Sequence, residues 1–207
     1  MTWDLAITAF ATLFVMIDPI GLTPLFVALT AGRNAGERRA IALRAVVIAF
    51  VILAAFTLVG RGLLSGIGIS IAALRIAGGL LLFLISVDML FEKRSERREA
   101  RVEAMPDPSV FPLALPLVAG PGAIAAVLVI SADQAGNWLA SATLLGVIIA
   151  VLVIVFVFFM AAGVVERILG QTGVNVITRV FGMLLAGLAV QFVLDGLVDS
   201  GLVSVGS

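Results

Sequence analysis

The chain lacks cysteine and histidine altogether, and charged residues make up only 13% of its 207 residues. Without cysteine there are no disulfide bonds and no thiol nucleophiles, and without either residue there are no zinc sites built from these ligands. A catalytic triad with a histidine base is excluded as well. We therefore expect neither enzymatic activity nor a metal or other cofactor, and any proton chemistry has to use the few acidic side chains.

The charged residues are balanced, and the remainder of the chain is strongly apolar. The 13 basic and 13 acidic residues give a formal net charge of zero, which does not suggest a nucleic-acid partner. Hydrophobic residues make up 62% of the chain, and the mean hydropathy is +1.24. Soluble domains do not have this composition. Long continuous apolar runs predict an all-α polytopic membrane protein, with the lipid bilayer as a partner.

Six apolar runs are long enough to be membrane spans. They lie at about residues 5–30, 41–59, 69–91, 110–131, 138–165 and 174–197. The N-terminus lacks the basic segment of a signal peptide, so we expect the first run to be retained. Turns are predicted at Gly62, Gly66 and Gly68 and at residues 166–173. The fifth run is the most uniformly apolar, which indicates a lipid-facing helix and makes a homo-oligomer plausible.

Basic residues are concentrated in the connections after the first, third and fifth spans. Arg38 and Lys93 are examples, whereas the opposite side has only Arg61 and Arg75. Because Lys and Arg favour the cytoplasmic side of short loops, both termini are predicted to lie outside the cytoplasm. The segment 92–103, which mixes basic and acidic residues, is predicted to be a solvated helical linker with ion pairs four residues apart.

The first run contains a polar interruption, Asp18-Pro19-Ile20-Gly21-Leu22-Thr23-Pro24. A charged side chain at the centre of a membrane helix costs about 3 kcal/mol, and proline removes a backbone donor that lipid cannot replace. Asp is a good N-cap and Pro is favoured at the first helical position, so Asp18-Pro19 predicts the start of a new half-helix. Its positive end would suit a substrate carboxylate. The alternative is that Asp18 only caps the helix and Pro19 only bends it.

The second half of the chain resembles the first. Residues 75–81 align with residues 179–185, beginning at Arg75 and Arg179, and Gly120-Pro121-Gly122-Ala123 falls opposite the first interruption. Three spans repeated as three spans across one loop must have opposite orientations. The sequence therefore predicts a 3+3 inverted repeat with interrupted helices 1 and 4, which is typical of transporters whose substrate binds at the repeat interface. The predicted parts are residues 1–91, a charged linker at 92–108, and residues 109–207.

Two opposed half-helices of this kind would form a central site for a small zwitterionic solute. Their N-terminal N–H groups would bind the carboxylate, and Asp18 or freed carbonyls near Ala119 would bind the ammonium group. Thr23 would supply a hydroxyl group, and the glycines would let the solute approach the backbone. The predicted substrate-binding residues are Asp18, Pro19, Gly21, Thr23, Pro24, Gly120, Pro121 and Gly122.

Other polar residues within the spans are weaker candidates. Asp88 and Asp195 lie near span ends, where they reach the interface, and Gln191 is expected to hydrogen-bond a neighbouring helix. Arg75 and Arg179 begin their spans and are expected to reach the headgroups, although their matched positions leave room for pairing with an acid of the other repeat. Close helix packing is indicated at Gly78, Gly79, Gly182 and Gly187.

Three motifs stand out from their apolar surroundings. They are residues 18–26 (DPIGLTPLF), the pair 112–117 (PLALPL) and 119–124 (AGPGAI), and the spaced residues from Arg179 to Phe192. These motifs resemble the MarC family of bacterial inner-membrane proteins over nearly the whole chain. The resemblance implies six spans with both termini periplasmic, in agreement with the loop charges. Some relatives in that family are associated with transport of neutral amino acids.

The leading hypothesis is a secondary transporter of small neutral amino acids, with the solute bound between helices 1 and 4. A non-transporting membrane scaffold or accessory protein is the alternative, because uniform hydrophobicity permits it. An intramembrane aspartyl enzyme using Asp18 and Asp88 is formally possible, but the two acids are predicted at different depths. Substrate identity, coupling ion, direction and oligomeric state stay open.

Overall fold

A computed structural model describes residues 2–91, 107–134 and 136–202. Helices and short connections account for these residues, and no β-strand occurs among them, so the predicted all-helical class is confirmed. Residues 92–106, which include the predicted helical linker, lie outside the described residues. The helices are α1 (Thr2–Ile17), α2 (Pro19–Leu29), α3 (Ala35–Gly66), α4 (Ile71–Leu90), α5 (Ser109–Val118), α6 (Pro121–Asp133), α7 (Trp138–Met160) and α8 (Ala162–Asp199).

Five helical stretches in the described part of the chain are long and apolar enough to cross a bilayer. A sixth crossing is obtained if α5 and α6, which meet at an angle of 54°, act as one bent span. These lengths and compositions confirm a polytopic membrane protein with five or six spans. The five stretches are Trp3–Leu29, Ala35–Gly60, Ile71–Leu90, Trp138–Met160 and Thr172–Asp199.

Helix α3 begins at a complete capping box. The Asn34 side chain accepts a hydrogen bond from the Glu37 N–H, and the Glu37 side chain accepts one from the Asn34 N–H, each at 3.0 Å. The helix continues to Gly66, so the turn predicted from Gly62 onward is wrong up to that residue. Glycine is a poor helix breaker where lipid offers the backbone no other hydrogen-bond partner. The chain turns at Gly68, whose φ of +76° favours glycine.

Helix α8 also includes residues 166–173, where a turn was predicted. Residues 166–173 are helical apart from Gly170, whose φ of 59° and ψ of 175° interrupt the helix. This backbone conformation is open almost exclusively to glycine. The apolar stretch Thr172–Asp199 follows the interruption, so the sixth span begins close to its predicted start even though the connection before it is helical.

Helices α4 and α8 pack antiparallel and make the most extensive helix–helix contact in the described structure. Gly79 lies so close to α8 that a Cβ atom there would be 2.7 Å from the Ala189 carbonyl oxygen, and one at Gly182 would be 3.1 Å from the Ser86 carbonyl oxygen. The close packing predicted at these two glycines is therefore confirmed. Gly187 was predicted to pack in the same way and does not, because no other described residue comes within 4 Å of a Cβ built there.

The two halves of the chain interlock. Helices α1 and α2 pack against α7 and α8, whereas α5 and α6 pack against α3, and α6 also contacts α4. The apolar core is therefore formed by elements that are far apart in sequence. The connections between α1 and α2 and between α5 and α6 are drawn into this core, where Asp18 and Ala119 are both fully buried.

Helix α7 is not simply the lipid-facing helix that its composition indicated. One side of it, including Leu144 and Phe159, is buried against α1, α2 and α3. The Phe159 ring stacks on the Phe26 ring of α2, with 4.4 Å between centroids. Val153 lies on the other side and is 54% exposed. Composition could not distinguish the two sides, because the polar residues that would mark an exposed face are missing from both.

Candidate functional site

The first junction is a single residue, Asp18, between α1 and α2. Its backbone is left-handed, with φ 54° and ψ 69°, a conformation that Asp tolerates better than most residues. The Asp18 N–H donates to the Phe14 carbonyl at 3.0 Å and completes α1. The Gly21 N–H donates to Asp18 Oδ1 at 3.0 Å, and Pro19 takes the first position of α2. The predicted N-cap at Asp18 is confirmed.

The other carboxylate oxygen of Asp18 contacts helix α8. The Thr178 hydroxyl donates to Asp18 Oδ2 at 3.1 Å, and Asp18 is 0% exposed. Gly21 makes this contact possible, because a Cβ atom at that position would lie 2.1 Å from Asp18 Oδ2 and 2.8 Å from Thr178 Oγ1. The carboxylate therefore caps α2 and also ties the first junction to the last helix.

Thr23 and Pro24 lie in the first turns of α2. The Thr23 hydroxyl donates to the Pro19 carbonyl at 2.9 Å, so in this conformation its hydrogen is used within the helix. Pro24 has no N–H for the Ile20 carbonyl, which therefore lacks its regular helical donor. Thr23 and Pro19 are both buried. The start of α2 thus has one backbone acceptor without its usual partner and one hydroxyl that is already engaged.

Helix α5 is irregular because of its two prolines. Phe111 and Leu115, each of which precedes a proline, have extended backbone angles (φ −128°, ψ 127° and φ −126°, ψ 130°). Its backbone hydrogen bonds span five residues, as from the Ala119 N–H to the Ala114 carbonyl at 2.9 Å. The chain is therefore already distorted where it reaches the end of α5.

The second junction, Ala119-Gly120, connects α5 to α6. Gly120 is extended, with φ −76° and ψ 169°, and Pro121 takes the first position of α6. A Cβ atom at Gly120 would lie 2.5 Å from the Pro116 carbonyl oxygen, so the close approach requires glycine. Gly120 is therefore the N-cap residue of α6, as Asp18 is of α2, but glycine has no side chain with which to accept a hydrogen bond. Within the described part of the chain, no side chain makes a capping hydrogen bond to α6.

The two junctions come together through Met16. A Cβ atom at Gly122 would lie 2.5 Å from Met16 Sδ and 2.7 Å from Ile85 Cδ1, and Met16 precedes Asp18 by two residues in the chain. The start of α6 therefore packs directly against the end of α1. Close contact between the two junctions depends on glycine at position 122, since a larger residue would displace the methionine.

The predicted site residues do not occupy equivalent environments. Pro19 is buried whereas Pro121 is exposed. Sequence reasoning missed two residues of this region, Thr178 and Met16. Thr178 was marked only by its position, one residue before Arg179 of the repeated motif. Nothing in the sequence distinguished Met16, because methionine is an ordinary residue in the core of a membrane span.

A cavity of about 330 Å³ lies beside the N-terminus of α1. We call it the N-terminal cavity, and residues from α1, α4, α6 and α8 form its walls. It brings together side chains of both charges, Arg75 with Asp4 and Asp195. Its polar lining consists of Asp4, Thr8, Arg75, Gln134 and Asp195.

Two contacts hold polar side chains around this cavity. Arg75 forms an ion pair with Asp199 at the end of α8. Arg75 was expected to reach the headgroups, and the structure has instead the pairing with an acid of the second half that its matched position left open. The Gln191 amide donates to Asp195 Oδ1 at 2.7 Å. The prediction that Gln191 bonds a neighbouring helix is therefore wrong, because residues four apart share one helix face and the acid one turn away is nearer.

A second ionic cluster lies at the start of α5. Arg44 pairs with Asp107 at 2.6 Å between Nη1 and Oδ2, and the Ser109 N–H donates to Asp107 Oδ1 at 3.0 Å. Hydrogen bonding from Ser109, helped by the guanidinium groups of Arg44 and Arg33, lowers the pKa of the Asp107 carboxyl below its ordinary value. No group of three or more potential metal ligands comes together within the described residues.

Comparison with known proteins agrees with this membrane architecture. The family model described as "MarC family integral membrane protein" matches residues 3–200. The chain is 40% identical over 205 residues to the UPF0056 membrane protein YvbG of Bacillus subtilis, which covers 95% of this chain and 96% of the relative. It is 43% identical over 197 residues to a UPF0056 membrane protein of Archaeoglobus fulgidus, with coverage of 92% and 91%.

The name of a further relative indicates a cellular location. The chain is 32% identical over 197 residues to the UPF0056 inner membrane protein YhgN of Escherichia coli, with coverage of 92% of this chain and 95% of the relative. A multi-pass location in an inner membrane agrees with that name and with the apolar helices described above. No solved structure is similar to the chain.

Proposed function

The chain belongs to the MarC family of integral membrane proteins, and from this premise we propose that it is a secondary transporter of small neutral amino acids. The proposed location is the bacterial inner membrane, with both termini on the periplasmic side, as the distribution of basic residues favours. The protein would work by alternating access to a site between its two halves. It would need no cofactor and no chemical step.

The observation that carries this proposal is the meeting of two helix junctions in the core. Each junction places proline at the first position of the following helix, and Met16 beside Asp18 touches Gly122 of the other junction. Irregular backbone within a membrane is tolerated only inside protein or beside a water-filled cavity. Two such junctions packed together are the arrangement that discontinuous transporter helices use to bind small charged groups.

The proposed architecture is an inverted 3+3 repeat. It rests on the alignment of residues 75–81 with residues 179–185 and on the proline starts of two helices, Pro19 in α2 and Pro121 in α6. The antiparallel packing of α4 on α8 and the interlocking of the two halves are compatible with a two-fold relation within the membrane plane.

The proposed solute is a small zwitterion bound between the junctions. The uncapped N-terminus of α6 offers its backbone N–H groups and positive end to the carboxylate. Asp18 is the negative partner for the ammonium group, or the proton carrier, once its contact with Thr178 opens. The full set of proposed binding residues is Asp18, Pro19, Gly21, Thr23, Pro24, Gly120, Pro121 and Gly122. We assign the observed arrangement, in which Asp18 is buried, to a closed state.

A second candidate function is a non-transporting scaffold or accessory protein. It is favoured by one observation, that both oxygens of the Asp18 carboxylate already accept hydrogen bonds from Gly21 and Thr178. A purely structural cap has this geometry and requires no solute. Mutation separates the two functions, because a scaffold needs the cap and a transporter needs the charge as well.

The test is exchange of labelled L-alanine into proteoliposomes preloaded with unlabelled alanine. Asp18→Asn keeps the cap, since Asn caps a helix as well as Asp and also tolerates the left-handed backbone, but it removes the charge. Pro121→Ala removes the proline that starts α6. We expect saturable exchange by the wild type and loss of exchange in both variants.

The matched control is Asn137→Asp at the start of α7. Asn137 Oδ1 accepts from the Ala140 N–H at 3.2 Å, so this variant makes the reverse amide–acid exchange at a helix cap away from both junctions, and its exchange rate should equal that of the wild type. Exchange that survives Asp18→Asn and Pro121→Ala would move the site elsewhere. Absence of exchange for alanine, glycine, serine and threonine would reject the amino-acid transporter in favour of the scaffold.

A further inference from the structure

We propose that residues 162–169 form a helix that lies on the membrane surface and binds anionic phospholipid headgroups. We call this segment, the first part of α8, the surface helix. A turn at Ala161 separates it from α7, and Gly170, with φ 59° and ψ 175°, separates it from the rest of α8. The stretches that can cross the bilayer on either side are Trp138–Met160 and Thr172–Asp199. The surface helix therefore lies outside both spans and is tethered to both.

The residues of the surface helix divide among three sides. Ala162 is fully buried and belongs to the apolar core. Val164 and Ile168 are four residues apart, so they share a second side, where they are 57% and 74% exposed. Gly163 and Arg167 are also four residues apart and are exposed on a third side. Bulky apolar residues on one side and a basic residue on another are typical of helices that lie in the plane of the membrane interface.

The bilayer is the apolar surface that can cover Val164 and Ile168. Leaving two large apolar side chains in water is unfavourable, and in an interfacial helix such side chains are buried about 5–10 Å into the boundary between headgroups and acyl chains. Because a membrane span begins or ends within a few residues of each end of the surface helix, this boundary is within reach.

The surface helix lies at a basic end of the helix bundle. Near the end of α7, the Phe159 ring stacks on the Phe26 ring of α2, and the guanidinium carbon of Arg38 lies 5.6 Å from the centre of the Phe26 ring. The connection at residues 30–39 therefore lies at the same end as the connection at 161–171. The two connections together contain four arginines and two glutamates, a net charge of +2, which favours an anionic membrane surface.

Arg167 is the residue of the surface helix that can bind a lipid phosphate. Its side chain is exposed, and no ion pair between described side chains involves it. A guanidinium binds phosphate through two parallel hydrogen bonds. With Val164 and Ile168 among the acyl chains, Arg167 would lie at the level of the headgroups, so one lipid could contact both sides of the helix.

The first test locates the surface helix by fluorescence quenching in proteoliposomes. The chain has two tryptophans, and replacing Trp3 and Trp138, both 79% exposed, with phenylalanine gives a background without tryptophan. In this background, Ile168→Trp reports on the apolar side. Gly163→Trp is the matched control on the polar side, where no other described residue lies within 4 Å of an added Cβ atom.

Brominated phosphatidylcholine should quench Ile168→Trp, more strongly with bromine near the headgroup than near the chain end, and acrylamide should quench Gly163→Trp. Quenching of both variants by acrylamide alone would place the surface helix in water and overturn the proposal. Equal quenching of Ile168→Trp by shallow and deep bromine would place the helix within a span, which also contradicts it. Protection of Ile168→Trp from both quenchers would mean that a second copy of the chain covers this side instead of lipid.

The second test measures the preference for anionic lipid. Two lipid mixtures of equal composition carry bromine either on phosphatidylglycerol or on phosphatidylcholine, and the ratio of the two quenching efficiencies reports local enrichment. One basic residue near an anionic surface enriches anionic lipid by up to about fivefold, so Ile168→Trp should be quenched more by the brominated phosphatidylglycerol. Adding Arg167→Gln should bring the ratio close to one, whereas Arg167→Lys should keep most of the enrichment.

The matched control for the charge is Arg39→Gln, which removes an exposed arginine from α3 at the same end of the bundle and should change the ratio less than Arg167→Gln. An equal effect of both variants, or a ratio of one with Arg167 present, would reject Arg167 as a headgroup site. Inorganic phosphate that abolished the enrichment would assign Arg167 to a soluble anion. Neither test depends on transport, so this proposal and the proposed function can fail separately.

Discussion

Asp18 is held by contacts from three segments of the chain. Its N–H completes α1, its Oδ1 caps α2 and its Oδ2 accepts from α8. Each contact is ordinary, but together they allow the carboxylate of Asp18 to be fully buried among apolar membrane-spanning helices. A buried polar group without partners is costly, so the two donors, Gly21 and Thr178, decide whether this junction is stable.

Replacing Thr178 with valine removes one donor and leaves the second carboxylate oxygen unsatisfied. We expect the free energy of unfolding to fall by about 1–3 kcal/mol, the cost of a buried acceptor without a partner. The measurement is a denaturant titration in detergent. Thr178→Ser keeps the hydroxyl and should recover most of the loss. A valine variant as stable as the wild type would mean that the hydrogen bond to Asp18 contributes nothing to stability.

Replacing Gly21 with alanine should separate Asp18 from Thr178. The new Cβ would lie 2.1 Å from Asp18 Oδ2, so the carboxylate must move. We expect a loss of about 1–3 kcal/mol from overpacking in the same titration. Gly187→Ala is the control, because the added methyl group meets no other described residue and alanine favours the helix. Equal stability of both variants would contradict the predicted crowding.

At the scale of elements, the contact of α4 with α8 depends on backbone approach. Gly79→Ala would place a methyl group 2.7 Å from the Ala189 carbonyl oxygen, and a backbone atom cannot turn aside as a side chain can. We expect the helices to move apart, with a loss of about 1–3 kcal/mol in unfolding free energy. The matched variant is Gly62→Ala in α3, where no other described residue lies within 4 Å. Its stability should equal or exceed that of the wild type.

The stability that the contact between α3 and the start of α5 contributes should depend on pH. Asp107, which pairs with Arg44, has a pKa below its ordinary value in the folded chain. The contact therefore contributes stability above the ordinary aspartate pKa of about 3.9 and loses it as the pH falls through the lower folded value. Asp107→Asn should flatten this part of the stability curve, measured by thermal unfolding between about pH 6 and pH 3. A variant with the same acid dependence as the wild type would exclude Asp107 as its source.

At the scale of the whole molecule, the sequence predicted mainly those features that depend on residues close together in the chain. The positions of five of the six predicted spans, the cap at Asp18 and the proline starts of α2 and α6 follow from local chemistry, and the structure has them. The turns predicted from Gly62 and at residues 166–173 failed, because glycine propensities measured in water overstate helix breaking in an apolar chain.

Contacts between distant segments could not be predicted in the same way. Thr178 is 160 residues from Asp18, and no local pattern marks which buried hydroxyl meets which acid. The sequence also could not predict which side of α7 is buried, since both sides are apolar. The N-terminal cavity combines Arg75 with acids from both ends of the chain, and a single sequence does not show that these ends meet.

Interlocking of the two halves leads to a prediction about the whole chain. Because α1 and α2 pack on α7 and α8 while α5 and α6 pack on α3, neither half can cover its own apolar faces. Residues 1–91 and 92–207, produced as separate chains in one cell, should associate and co-purify through a tag on one of them. Each half produced alone should aggregate or be degraded. A split at Gly146, within α7, is the control and should abolish assembly, since it cuts a helix instead of a connection. A stable, monodisperse 1–91 fragment on its own would show that the first three spans form an independent domain, and the interlocked arrangement would then not be required for folding.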